Sequence, residues 1–352
     1  MRGRVRFGVV GAVVGLAAAV GCGGGGGGGG AGGGAARGFP VSVSDCAGGE
    51  TTFSSAPRKI VTSNAAGLEL LLRLGAGDKV VGTGFPPGKG ALPTALDARA
   101  RKVTVLSRGV IPKEKLLGSG ADLYVDTFAS MAGMGGGAAG VPTAEEYRAV
   151  GMKRVFLKST ACAAERKEPL TDLSAVEDDI TALGALTGRS ATARRLVADM
   201  RAKVTAVRRA VGGLPRDQRP SYFFFDYDAG TRQPTVVCDR QIAHAVITLA
   251  GARNAFGDCH GAFKQVGWED VVAKDPDWIQ LAVRNRGGAA ANEKAFDEAQ
   301  RWLETNPATK GLSAVKRGRF LRIGSERTTI AGVANADTVR EIARAVHPGK
   351  VR

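Results

Sequence analysis

The sequence predicts an α/β protein of two similar lobes bridged by one long α-helix, with a ligand cleft between the lobes. Three observations point there. Two stretches of the chain alternate short β-branched or aromatic runs with helical patterns, which implies a largely parallel, covered sheet in each. The two stretches share a faint internal repeat. Between them lies an amphipathic run of roughly 22 residues, which as a helix spans about 33 Å, long enough to run along two domains.

The first stretch reads as a strand at 59–63, a helix around 68–74 and a strand at 79–83. A helix around 112–118, a strand at 122–126, a helix around 143–150 and a strand at 154–157 follow. In the helical block, Val176, Ile180 and Leu183 make one apolar stripe. Gly184 and Gly188 interrupt it, and Ser190 is placed to cap a longer helix. That helix carries Leu196, Val197, Met200, Val204, Val207 and Val211 on one face, and Gly212, Gly213 and Pro215 end it. The second stretch opens with a buried strand at 221–225. Helices around 242–249 and 269–274, a strand at 278–283, a helix around 296–305, a strand at 319–323 and a final helix at 337–345 complete it. The repeat pairs Leu74–Gly82 with Leu249–Gly257, and Gly120–Val125 with Asp275–Gln280. Two such lobes place ligand-facing loops at the carboxyl ends of their strands.

The ends of the chain add a compartment. Arg2, Arg4 and Arg6 precede an apolar run, Phe7 to Val20, that is shorter than the roughly 20 residues a membrane span needs. Ala19-Val20-Gly21-Cys22 ends it. This resembles a bacterial lipobox, with Cys22 as the lipidated residue and Ala19 where such sites usually carry Leu. Ala17-Ala18-Ala19 offers a conventional secretory cleavage site as the alternative. The nearly pure glycine tract from Gly23 to Gly34 has nothing to bury and reads as a flexible tether. The expected organisation is therefore a leader at 1–22, a tether at 23–38, an N-terminal lobe at 39–170, a bridging helical segment at 171–213 and a C-terminal lobe at 214–352.

Hydrophobic content of 44% and charged content of 23% are ordinary for a globular chain. The net charge of +16 is spread through amphipathic helices, and aromatic residues are only 6%. That distribution favours an acidic ligand or a polyanionic surrounding over nucleic acid. Beyond Cys22, four cysteines remain: Cys46, Cys162, Cys238 and Cys259. An even number in an exported chain implies two disulfides, with three connectivities open and free buried thiols as the alternative. Cys238 and Cys259 flank one helix within one lobe, which favours that pair and with it Cys46–Cys162.

No catalytic constellation stands out. The chain has no GxxxxGK[ST] loop, no GxSxG and no HExxH. Gly135–Gly140 matches GxGxxG by letter but does not follow a strand directly. His244, His260 and His347 are not spaced as metal ligands. No enzyme activity, cofactor or protein-held metal is expected.

Ala56–Thr83, with its Lys-Ile-Val-Thr-Ser-Asn strand and Leu-Gly-Ala-Gly-Asp-Lys-Val-Val-Gly turn, resembles the opening of a known family. That family is the ABC-importer binding proteins for ferric siderophores, cobalamin and haem. Leu249–Phe256, Val266–Ile279 and Asn306–Phe320 resemble its later motifs, in the family's order, so the resemblance covers about residues 41–347. It implies two Rossmann-like α/β lobes on a helical backbone that flexes little. It also implies a monomeric, lipid-anchored protein on the outer face of the cell membrane that hands its ligand to ABC permease subunits. By motif position, the docking carboxylates are Glu69 and Glu269. The N-terminal lobe would offer Ser63, Asn64, Gly84, Phe85, Thr127 and Phe128 to the ligand. The C-terminal lobe would offer Tyr227, Asp228, Arg240, Trp268, Arg284, Asn285 and Arg327. Aromatic rings suit broad apolar contact, and arginines suit carboxylate, hydroxamate or catecholate oxygens. A ferric siderophore is the first expectation, with haem or a corrinoid behind it. A surface sensor of the same fold without transport, or an exported chelatase-like enzyme, is the alternative.

Overall fold

The computed structural model describes residues 38–128 and 140–351. The leader, Cys22, the glycine tract and most of the Gly135–Gly140 run lie outside the described residues. The described chain opens with β1 (Val41–Ser44) and β2 (Glu50–Phe53), then β3 (Ile60–Thr62), α1 (Ala65–Leu74) and β4 (Val80–Thr83). There follow α2 (Thr94–Ala100), α3 (Lys113–Leu117), β5 (Leu123–Asp126), α4 (Ala144–Ala149), β6 (Lys153–Phe156) and α5 (Lys158–Ala161). Next come α6 (Ser174–Leu186) and α7 (Ser190–Val211). The second half runs β7 (Ser221–Asp226), β8 (Thr235–Val237), α8 (Ile242–Leu249), β9 (Arg253–Asn254), β10 (Phe263–Gln265) and α9 (Trp268–Lys274). It ends with β11 (Trp278–Ala282), α10 (Ala289–Thr305), α11 (Ser313–Lys316), β12 (Phe320–Arg322), α12 (Ser325–Thr329) and α13 (Ala334–Val346).

Two four-stranded parallel sheets carry the fold, in orders β4-β3-β5-β6 and β9-β7-β11-β12. The orders correspond strand for strand, so the internal repeat is a repeat of topology. Its motifs do the same work in each half. Gly75 and Gly251 sit in the left-handed region (φ 77° and 79°) just after α1 and α8. There the amides of Ala76 and Ala252 return to the carbonyls of Leu71 and Ile247, closing each helix. Asp122 and Asp277 follow left-handed Gly120 and Asp275. The Asp122 carboxylate accepts from the amides of Arg58 and Lys59. That of Asp277 accepts from the Ser221 amide and hydroxyl. Each aspartate thus ties one parallel strand to the start of its neighbour.

Alternation along the central strands sorts the core. Tyr222 and Phe224 face the cluster shared with α6, α7, α8 and α13, whereas Phe223 and Phe225 face α9, α10 and Trp302. In the first sheet Ile60, Leu123 and Val125 face α1 and α6, and Val61 and Tyr124 face the opposite cluster with Ile111, Leu116 and Tyr147. Buried residues of α6 and α7 belong to the cluster that also holds Ile60 and Tyr222, so one continuous apolar core runs through both lobes. The long helix is 22 residues, and α6 lies antiparallel beside it. Disulfides join Cys46 to Cys162 and Cys238 to Cys259, with Cα separations of 5.3 and 5.0 Å.

Candidate ligand cleft

Because each sheet is parallel, the carboxyl ends of its strands form one edge. In the first lobe that edge carries Ser63 and Asn64 after β3, Gly84 and Phe85 after β4, and Thr127 and Phe128 after β5. In the second it carries Tyr227 and Asp228 after β7, Arg284 and Asn285 after β11, and Arg327 after β12. The edges face each other. A Cβ placed on Gly88, in the loop after β4, would lie 2.5 Å from Asn285 Oδ1, in the loop after β11. The Leu170 amide donates to the Asp239 carbonyl at 2.8 Å, a hydrogen bond between the two halves of the chain.

The floor on the first lobe is tightly bonded. Ser63 Oγ lies 2.9 Å from Thr127 Oγ1, and the Thr127 amide donates to Ser63 Oγ. Asn64 Nδ2 donates to Thr127 Oγ1 at 2.7 Å while its Oδ1 accepts from the amides of Ala66 and Gly67, capping α1. These three buried polar side chains therefore fix the strand ends in place and expose little to a ligand. Gly84 is small by necessity, since a Cβ there would meet the Ser63 carbonyl at 2.7 Å. The aromatic surface comes from Phe85 and Phe128, whose ring centroids are 6.1 Å apart. Phe85 holds φ at 33°, a left-handed value costly for a side chain of that size and common at ligand clamps.

The wall on the second lobe is a rigid charged loop. Asp228 accepts from the Arg284 amide at 2.6 Å and pairs with the Arg286 guanidinium. The Asn285 amide donates to Glu326, and Asn285 Oδ1 accepts from the Gly287 amide. Asp226 sits beneath this loop. Burial raises its carboxyl above the usual range, and the nearby Arg284 charge pulls the other way. Tyr227 is half-buried, edge-on to Phe225 at 6.0 Å. Arg240 follows the Cys238 bridge. Its Nε is enclosed and without a hydrogen-bond partner among the described residues. Beside it, burial would raise the Asp239 carboxyl, but hydrogen bonds from His260 and Gly261 outweigh that and hold it below the ordinary range. Among the described residues, no carboxylate oxygen lies within 4.0 Å of the guanidinium nitrogens of Arg240 or Arg284.

Two of the expected ligand residues are engaged elsewhere. Trp268 donates from Nε1 to the Thr231 carbonyl and packs against Phe223, Phe225 and Trp302, so its ring braces the second sheet. Arg327 turns to α13 and pairs with Glu341 at 2.6 Å. The groove of about 490 Å³ that it lines with Asp337, Arg340 and Arg344 has a second internal ion pair, Arg340 with Asp337. Arg286 is a further charged residue of this edge, held by Asp228. Arg286 stands two residues beyond Arg284 at the same strand end, a signal the sequence did hold. Of the two carboxylates expected to dock, Glu269 is exposed in the first turn of α9, where a negative charge also suits the helix N-terminus. Glu69 is half-buried and bridges to Arg73 one turn on at 2.7 Å. Among the described residues no helix is long and apolar enough to cross a membrane.

Comparison with known proteins gives one consistent picture. An uncharacterised ABC transporter substrate-binding lipoprotein of Bacillus subtilis, YvrC, is 23% identical over 318 residues, covering 88% of this chain and 86% of the relative. A cobalamin-binding protein of Halobacterium salinarum is 26% identical over 250 residues, or 70% of this chain and 59% of that protein's length. A periplasmic binding protein from Veillonella parvula superposes with a TM-score of 0.74 at 26% identity, covering 89% of this chain and all of the other. An ABC-type Fe3+-hydroxamate transport protein from Saccharomonospora viridis gives a TM-score of 0.68 at 23% identity, covering 88% and 99%. These are binding proteins rather than enzymes. With residues 60–326 matching the family described as "Periplasmic binding protein", the chain belongs to that family, whose members bind a solute for an ABC importer.

Proposed function

We propose that this chain is an extracytoplasmic lipoprotein, anchored through Cys22, that captures a ferric siderophore between its lobes and delivers it to ABC permease subunits. The observation that carries capture is the meeting of Gly88 and Asn285. It brings the carboxyl edges of two parallel sheets face to face, the place where α/β sheets bind ligands. The chemistry of the rim supports an oxygen-rich, acidic cargo. Arg240 and Arg284, two of the expected ligand residues, have no carboxylate partner among the described residues, and Phe85, Phe128 and Tyr227 add apolar faces. Iron would arrive already chelated, as cargo. The name of the archaeal relative favours a corrinoid as the second choice, with haem behind it.

Delivery rests on Glu69 and Glu269, one on each lobe. Tryptophan-fluorescence titration of the full chain with a ferric trihydroxamate, haem and cobalamin tests the cargo. Binding of the ferric chelate, weakened about tenfold by Arg284→Ala through loss of one charge-assisted contact, is expected. No binding of any of the three would sink the capture of this ligand class. Replacing Glu69 and Glu269 together by Ala is expected to leave affinity unchanged and abolish uptake by cells. Normal uptake by that variant would end the docking assignment.

A further inference from the structure

A small pocket lies under the floor of the first lobe, on the face of its sheet turned away from α1. Its volume is about 20 Å³, room for roughly one oxygen-sized group. Tyr124, Asp126, Tyr147 and Arg154 line it together with Ile111 and Leu116. Phe85 and Phe128, which follow β4 and β5 on the cleft edge of the sheet, line it too. Tyr124, Asp126 and Tyr147 are all more than nine-tenths buried, at 8%, 3% and 6% exposure.

The polar groups are unevenly satisfied. Arg154 donates from Nε and Nη2 to Asp126 Oδ2 at 3.0 and 2.6 Å, and from Nη2 to the Phe128 carbonyl at 3.1 Å. Its guanidinium also lies 4.3 Å from the Phe156 ring centroid. The pair is therefore complete and neutral as a unit. Tyr147 Oη, by contrast, is enclosed with no hydrogen-bond partner among the described residues. A buried hydroxyl left in that state is unfavourable, so the arrangement favours a partner that arrives from outside. Burial pushes the Tyr147 phenol up to about 12, against the opposing pull of Arg154, so it keeps its proton and can donate. The mouth is made by Phe85, whose left-handed backbone is held by its amide on the Gly109 carbonyl and its carbonyl under the Ala65 amide. Strain maintained in this way is typical of ligand clamps.

We propose that Tyr147 is the donor of a recessed subsite that takes one uncharged carbonyl oxygen, at the tip of a ligand arm, admitted between Phe85 and Phe128. The class follows from the charges. A carboxylate tip would bring a net negative charge into a pocket whose one cation is already paired, and an ammonium tip would find no free carboxylate. The proposal rests on the capture reading above and narrows the cargo to molecules that carry neutral carboxamide arms.

The test uses the full chain in mild detergent with ¹³C-labelled tyrosine. The protein has four tyrosines, and Tyr147→Phe identifies the ring signal. Acetamide at millimolar concentrations is expected to shift that signal saturably, and acetate at the same concentrations is not. Tyr147→Phe should abolish the response. Without probe it should leave the thermal midpoint unchanged or raised, because it removes a hydroxyl that lacks a partner. No acetamide response, an equal response to acetate, or a midpoint lowered by several degrees in Tyr147→Phe would each overturn the subsite. Acetamide binding does not depend on the natural cargo. If it occurs while every whole ligand fails, the capture reading falls and the subsite stands.

Discussion

His347 shows how much one side chain can report about the fold. It is 6% exposed at the end of α13, and its Nε2 meets the Gly251 carbonyl at 3.1 Å, fastening the last helix to the turn after α8. A carbonyl needs a donor, so the neutral ring with its proton on Nε2 suffices. Burial lowers the ring's pKa, the Gly251 contact raises it, and Lys350 and Arg219 lower it further, leaving it below its ordinary value. The sign follows. Between the folded pKa and the unfolded value near 6.5, the unfolded chain binds the extra proton, so stability falls as pH drops below about 6.5. One such group changes stability by at most about 1.4 kcal/mol per pH unit. In thermal melts between pH 7.5 and 5, His347→Gln should show a flatter loss than the parent chain. Identical slopes would mean that the His347 ring takes no part.

At the scale of elements, the seam between α6 and α7 is the most demanding packing. A Cβ on Gly184 would lie 2.4 Å from the Cβ of Ala193, a contact no side-chain rotation can relieve. In an isolated helix Gly→Ala is worth about 1 kcal/mol of stabilisation. Overpacking costs about 1–3 kcal/mol and should reverse the sign here. Gly184→Ala is therefore expected to lower the denaturant midpoint, and a raised midpoint would show that the helices can part without penalty. The same elements show what could be read from sequence. The α8 bounds, 242–249, and the end of α7 at 211 follow from strong apolar periodicity and clear glycine stops, whereas Arg189, and not the expected Ser190, stands at the cap position of α7, with no side-chain cap. The β1–β2 hairpin and the β8–β10 pair are not legible in the sequence because their strands are three or four residues long, and β8 and β10 pair across a separation that includes a whole helix and a disulfide. Strand-end positions on both lobes were legible because a parallel sheet puts every carboxyl end on one edge. Where a long side chain turns was not. Arg284 and Arg327 both follow strands, yet Arg327 finds Glu341 on a helix that comes later in the chain.

At the scale of the molecule, the apolar core that passes through both lobes along α6 and α7 resists wide opening, and the two disulfides reinforce each lobe separately. Cys46–Cys162 ties the β1–β2 hairpin to the end of α5 across 116 residues of sequence, and Cys238–Cys259 closes a loop of 21. Chain entropy makes the longer closure worth more, about 5 kcal/mol against about 3 kcal/mol, because it removes more freedom from the unfolded chain. The shorter bridge has a different duty. It sits beside Asp239, whose carbonyl receives the Leu170 amide where the chain crosses from one lobe to the other. Replacing Cys46 and Cys162 with Ala should therefore cost more stability in guanidinium titrations, whereas replacing Cys238 and Cys259 should cost less stability but loosen the crossing. Hydrogen exchange at the Leu170 amide reads that second effect, and it should speed up only in the Cys238/Cys259 variant. Faster exchange in both variants, or in neither, would show that the lobe crossing is held by the core alone.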